Sequence, residues 1–116
     1  MPYQSFEDLD VWKRACQQAV TIVKEVEKFA SFELKNQMTR AAISVPSNIA
    51  EGHGRVTPKD FSKFLRIALG SNNELKTQIY ICLKLNLITP ETGKSLIEEN
   101  TIIAKMIQSL RKSLND

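Results

Sequence analysis

The residues able to move protons, attack carbon or hold metal are few in this chain. His53 is the sole histidine, and the cysteines, Cys16 and Cys82, lie far apart with no C-x-x-C spacing. A di-metal centre in a helical bundle needs Glu-x-x-His on two helices. His53 follows Glu51 by two residues, which turns it to another face, and one histidine cannot supply two such motifs. Ser44, Ser47 and Ser71 sit in no G-x-S-x-G run. The expectation is therefore no catalytic residue, no metal site and no cofactor. Gly52-His53-Gly54 could in principle cradle a phosphate ahead of a helix start. It lacks both a preceding strand and the Gly-Lys-Ser/Thr of a nucleotide loop, so a helix end followed by a tight turn is the simpler reading.

Amides, carboxylates and bases remain. Asn48, Asn72 and Asn100 fall on otherwise apolar helical seams, with Glu51, Ser71 and Glu74 close to the same faces. An unpaired buried amide costs on the order of 1–3 kcal/mol, so these side chains must find partners. Asn48, Glu51, Asn72 and Glu74 are read as a polar core that sets helix register. Lys59, Lys63 and Arg66 recur at i, i+4, i+7, one stripe of a helix. With Arg55 and Arg40 they are the candidate contacts to nucleic-acid phosphates; an ordinary solvated face is the competing reading. Further bases project at Lys13, Arg14, Lys105, Arg111 and Lys112. No exposed aromatic set interleaves them, which speaks against base stacking.

Four helices position these residues. The first is expected at about 8–29, where Leu9, Trp12, Cys16, Ala19, Val23 and Val26 space 3-4-3-4-3 as a bundle seam. A second stripe, Val11, Ala15, Ile22 and Phe29, lies beside it. The second helix is expected at about 33–54, kinked by Pro46 and closed by a left-handed glycine near His53. Thr57 as cap and Pro58 as first residue open the third, at about 58–86. Thr89 and Pro90 repeat that signature for the fourth, at about 90–114. No segment alternates with period two, and the short connection between the last two helices makes them antiparallel neighbours. The predicted fold is all-α: an antiparallel up-down-up-down four-helix bundle, one domain over residues 1–116.

The 116 residues are 42% hydrophobic and 25% charged, a globular mix that excludes disordered, collagen-like and disulfide-scaffold classes. The net charge of +3 permits a polyanionic partner without requiring one. No apolar stretch approaches a membrane span, and acids occupy the N-terminus where a signal peptide carries bases. A cytoplasmic protein with no membrane partner is expected, its thiols reduced. The third helix ends in an all-round apolar stretch including Ile79, Tyr80, Ile81 and Leu83. Such a stretch calls for a second buried surface, most simply an interface between copies.

The chain resembles the 23S rRNA intervening-sequence proteins. The resemblance is carried by Phe6-Glu7-Asp8-Leu9-Asp10-Val11-Trp12, by Gln37 through Ala42, and by Ser44-Val45-Pro46-Ser47-Asn48-Ile49-Ala50-Glu51-Gly52. Phe61 through Leu65, Ala68, Gly70-Ser71, Glu74 and Leu75 extend it. It implies a four-helix bundle assembling as a ring-shaped homopentamer. It also implies RNA-related roles, since some relatives are encoded within rRNA genes and a related retroelement accessory protein works with RNA. It brings no catalytic residues. The expected function is non-enzymatic binding of structured RNA through phosphate contacts by a homo-oligomer; a protein-binding adaptor or assembly module is the alternative.

Overall fold

The computed structural model describes residues 5–115. A short 3-10 turn, Phe6–Asp8, precedes four α-helices: α1 (Asp10–Val26), α2 (Phe32–His53), α3 (Pro58–Lys84) and α4 (Pro90–Asn115). No strand occurs among the described residues. The all-α four-helix fold is as predicted. At ~1.5 Å per residue α3 spans about 40 Å, close to the 44 Å long axis of the molecule.

Local chemistry sets the helix ends. The Thr57 hydroxyl accepts from the Asp60 amide at 3.1 Å, and the Thr89 hydroxyl accepts from the Thr92 amide at 3.1 Å. Each cap is followed by proline, which needs no partner for an absent N–H. Three of the bounds that differ from expectation have a local cause. α1 stops at Val26 because Phe29 folds back into the core, its amide donating to the Val26 carbonyl at 2.9 Å. α2 begins one residue early, capped by Ser31, whose hydroxyl accepts from the Leu34 amide. α3 ends at Lys84 in a Schellman closure, with Leu87 N–H donating to Cys82 O and Asn86 N–H to Leu83 O. Asn86 takes the left-handed conformation this closure needs, at φ 57°.

The end of α2 corrects a second expectation. Gly54 has φ −77°, so no left-handed glycine terminates the helix. Gly52 has a packing role instead. It is buried, and a Cβ there would lie 2.6 Å from Phe64 Cβ and 3.0 Å from Phe61 Cδ1. The missing side chain lets the end of α2 approach the start of α3. With its open side filled by two phenylalanines, Gly52 is unavailable as part of a phosphate cradle.

The core divides in two. One cluster gathers Ala19, Ile22 and Val26 of α1, Met38, Ala41 and Ala42 of α2, Leu75, Ile79 and Cys82 of α3, and Leu96 of α4. The other gathers Val11 and Ala15 of α1, Val45 and Ile49 of α2, Phe61, Leu65 and Ala68 of α3, and Ile103 and Ile107 of α4. α1 and α3 enter at the second cluster and leave at the first, and α2 and α4 do the reverse. This order is consistent with the up-down-up-down course read from the sequence. In α1 the buried stripe is Val11, Ala15, Gln18, Ala19, Ile22 and Val26. The expected 3-4-3-4-3 seam is thus rotated partly outward: Trp12 and Cys16 are half-buried and Val23 is exposed.

Between the clusters lies a layer of three buried amides, Gln18, Asn72 and Asn100. Asn72 and Asn100 are reciprocal: each side-chain amide donates to the other's backbone carbonyl at 3.0 Å. Gln18 closes the triangle, donating to Asn72 Oδ1 at 3.0 Å and accepting from Asn100 Nδ2 at 3.2 Å. The expected polar core is corrected accordingly. Asn72 belongs to it. Asn48 is half-buried and bonds Ser44 within its own helix, and Glu51 and Glu74 are exposed. A carboxylate entering this layer would lose its hydration without gaining a donor, because the amides already bond one another.

Two predictions follow from this packing. Asn72→Ala leaves the Gln18 donor without an acceptor and deprives Asn100, and should lower unfolding free energy by about 1–3 kcal/mol. Gly52→Ala should cost about 1–3 kcal/mol by forcing α2 from α3. Gly93→Ala should cost less, because its obstacle is the flexible end of Leu83. Urea titrations of the three variants against the parent check both orderings.

Candidate nucleic-acid interface and apolar faces

Three of the five candidate phosphate contacts come together. Lys59, Lys63 and Arg66 are exposed on α3 and line one concavity of about 350 Å³ with Asp60 and Ser62. Arg111 of α4 completes the wall. Among the described residues Asp60 is the concavity's only carboxylate, and its backbone amide is tied to the Thr57 cap. None of the four bases joins the ion pairs found among the described residues, which are Arg14–Glu99, Lys28–Glu25 and Arg55–Glu51. Sequence spacing aligned the three α3 residues. Arg111 was visible only as one projecting base among several, because its approach to them depends on how α4 packs on α3.

The other two candidates lie elsewhere. Arg55 donates to Glu51 at 2.6 Å and its guanidinium sits 4.8 Å from the Phe64 ring centroid, so carboxylate and ring already occupy it. Arg40 lines a separate concavity between α2 and α3, beside Gln37, Ser44, Ser71 and Glu74. There the Ser44 and Ser71 hydroxyls hydrogen-bond at 2.8 Å. The stretch Ser44 through Gly52 thus acts at the α2–α3 seam: Ser44 by its hydroxyl, Asn48 by bonding Ser44, Gly52 by close approach.

The remaining reactive types are structural in their surroundings. His53 packs edge-on to Phe61, centroids 5.6 Å apart. Cys82 is buried with Sγ 3.5 Å from Met38 Sδ, and Cys16 is half-buried. Burial pushes both thiols above their ordinary pKa, which favours the unreactive protonated form. Among the described residues no three of His, Cys, Asp and Glu gather as a metal-holding group, and no helix is long and apolar enough to cross a membrane.

The expected interface residues separate. Ile79 is fully buried in the first core cluster, which removes it from any outer surface. Leu83 is part-buried, packed against that cluster and facing Gly93. Tyr80 and Ile81 are exposed, at 48% and 43%, with Ile67 and Leu85 also exposed on α3. Val20 and Val23 of α1 and Ile43 of α2 are also exposed; Ile43 stands off α2's main apolar stripe in the sequence, whereas Val23 was expected in the α1 seam.

These features define a helical-bundle protein with a register-setting amide layer, a basic concavity and exposed apolar residues on its helices. The chain belongs to the 23S rRNA-intervening sequence protein family, whose model matches residues 7–109. It is also similar to a crystal structure of a protein of unknown function from the S23 ribosomal protein family of Bacteroides thetaiotaomicron VPI-5482. That likeness has 28% identity and a TM-score of 0.83, covering 88% of this chain and 95% of the other. No curated protein matches the chain significantly.

Proposed function

We propose that the protein is a non-enzymatic, homo-oligomeric RNA-binding bundle that contacts phosphates through the outer face of α3. The observation that carries this reading is the clustering of Lys59, Lys63, Arg66 and Arg111 around one concavity with a single carboxylate among the described residues. Unpaired surface cations at such spacing repel one another, and a polyanion relieves that repulsion while releasing its own counterions. The family description, a 23S rRNA-intervening sequence protein, supports RNA as the polyanion. Assembly strengthens the reading, because a chain of net charge +3 is only weakly basic alone. A ring of copies repeats the basic face and multiplies modest local attraction along one RNA.

Exposed apolar side chains support self-association. Val20, Val23 and Ile43 lie on α1 and α2, whereas Ile67, Tyr80, Ile81 and Leu85 lie on α3 and its end. Exposed apolar residues on α1 and α2, and others on α3 and its end, would suit a head-to-tail contact, the type that closes into a ring when the rotation permits. A homopentamer is the ring the family resemblance implies. The same faces would serve the protein-binding alternative, so nucleic-acid binding is what separates the two readings.

Replacing Lys59, Lys63 and Arg66 together with Gln should weaken binding to all RNA sequences alike and flatten the dependence of log K on log salt by about 2, for three lost phosphate contacts. Fluorescence anisotropy across a salt series checks this. Equal binding by parent and variant at every salt concentration would overturn the interface, and absence of salt-dependent binding by the parent would favour the adaptor. Light scattering should return a multiple of the 13.1 kDa chain, five-fold for the proposed ring, and Ile81→Glu should lower it. A monomer mass for the parent at micromolar concentration would remove the oligomer from the proposal.

A further inference from the structure

We infer that the α3–α4 concavity is a discrete binding site for a phosphomonoester dianion, with the terminal phosphate of an RNA strand as its occupant. The inference rests on the RNA reading for its occupant, but on separate observations for the site. A stripe on one helix offers charges along a line, whereas this concavity takes bases from two helices. Lys59, Lys63 and Arg66 come from the first turns of α3, and Arg111 comes from near the end of α4. Ser62, nine-tenths buried, adds a hydroxyl to the wall.

Arg111 supplies the most pointed observation. Its Nε is buried and has no hydrogen-bond partner among the described residues. A guanidinium carries five donors in a fixed fork and can lose none of its charge. Leaving one of its buried donors unmade is costly, and native structures seldom do so without a reason such as a ligand. That Nε is closed to solvent as it stands, so an anion oxygen in the concavity becomes its acceptor when the Arg111 side chain turns outward. The Asp60 carboxylate lines the same wall and makes no ion pair with Arg111.

The number and kind of donors favour a phosphate end over a backbone phosphate. A phosphodiester offers two free oxygens and one negative charge. A phosphomonoester offers three acceptor oxygens and roughly −1.5 to −2 charge at neutral pH. Two lysines, two arginines and a hydroxyl match the second more closely. Arginine's planar fork would fix the orientation, and the lysines would act as adjustable point charges.

Two measurements test the site. Thermal melts of the full chain, at constant ionic strength and pH, compare inorganic phosphate with chloride, and a 5′-mononucleotide with its nucleoside. The midpoint should rise with phosphate and with the mononucleotide in the parent, because binding to the folded state alone stabilises it. The rise should be lost in Arg111→Gln and, separately, in Lys63→Gln, an exposed residue whose loss leaves the core intact. Anisotropy then compares one RNA oligonucleotide bearing 5′-phosphate, 3′-phosphate or hydroxyl ends. A terminal phosphate should tighten binding by about tenfold, as one or two charge-assisted hydrogen bonds would, and Arg111→Gln should erase the difference.

Equal midpoints in phosphate and chloride would overturn the site. Protection by inorganic phosphate but not by the mononucleotide, with RNA bound irrespective of its ends, would mark an adventitious ion only, and would also overturn it. RNA binding that ignores its ends, with no effect of phosphate, would overturn the site while leaving the α3 surface reading intact. Protection by phosphate and mononucleotide through Arg111, with no RNA bound at any salt, would support the phosphomonoester site and overturn RNA as its occupant.

Discussion

The amide triangle of Gln18, Asn72 and Asn100 is the constraint around which the bundle is organised. Apolar packing alone would tolerate several rotations and axial shifts of these helices, because dispersion and burial are non-directional. Hydrogen bonds are directional, and these run between α1, α3 and α4. The reciprocal bonds between Asn72 and Asn100 hold each side chain against the other's backbone at 3.0 Å, so a slip of one turn along either helix would strand both. A closed set of amides between two apolar clusters therefore fixes register where the clusters could not. α2 adds no side chain to the triangle. Its position is set by small residues instead: Ala41 and Ala42 in the first cluster, the Ser44–Ser71 hydroxyl pair, and Gly52 against Phe61 and Phe64.

That register has consequences at the surface. Once α4 is aligned on α3 through Asn100 and Asn72, residues further toward the end of α4 come beside the beginning of α3. Arg111 lies eleven residues beyond Asn100 and Phe61 eleven before Asn72, which places the end of α4 level with the first turns of α3. The basic concavity is thus coupled geometrically to the buried layer. A bundle whose α4 had slipped by one turn would keep its apolar burial approximately and lose the meeting of Arg111 with Lys63 and Arg66.

The molecule's charge is organised by neutralisation more than by number. Arg14 lies against Glu99 in a two-point contact across α1 and α4, at 2.9 and 2.6 Å, and the hydrogen bond and charge of this carboxylate push the guanidinium pKa further up. Arg55 lies against Glu51 and the Phe64 ring. Both are exposed, and pairs of this kind contribute little to stability. Their larger effect is to remove two arginines from the set available to a polyanion. Of the bases outside those pairs, Lys59, Lys63, Arg66 and Arg111 gather beside the start of α3.

Much of this protein was legible in the sequence because the relevant signals are local. Helix number, the Thr57–Pro58 and Thr89–Pro90 starts and the all-α class depend on residues within a turn of one another. The alignment of Lys59, Lys63 and Arg66 is equally local, since helical spacing alone puts them on one face. What tertiary structure decided was which of two adjacent apolar stripes faces inward. In α1, neighbouring residues point about 100° apart, so a small rotation exchanges the Trp12, Cys16 and Val23 stripe for that of Ala15, Gln18 and Ile22. Periodicity favours neither stripe. The choice is made by the neighbours' shapes and by the need of Asn72 and Asn100 for a third amide. The same reason explains why Ile79 is core while Tyr80 and Ile81 are surface, and why Glu51 and Glu74 lie outside the polar layer. It explains, too, why Arg111 joins bases some fifty residues earlier in the chain: burial and convergence belong to the packed arrangement of all four helices, whereas a helix's own pattern records only its own faces.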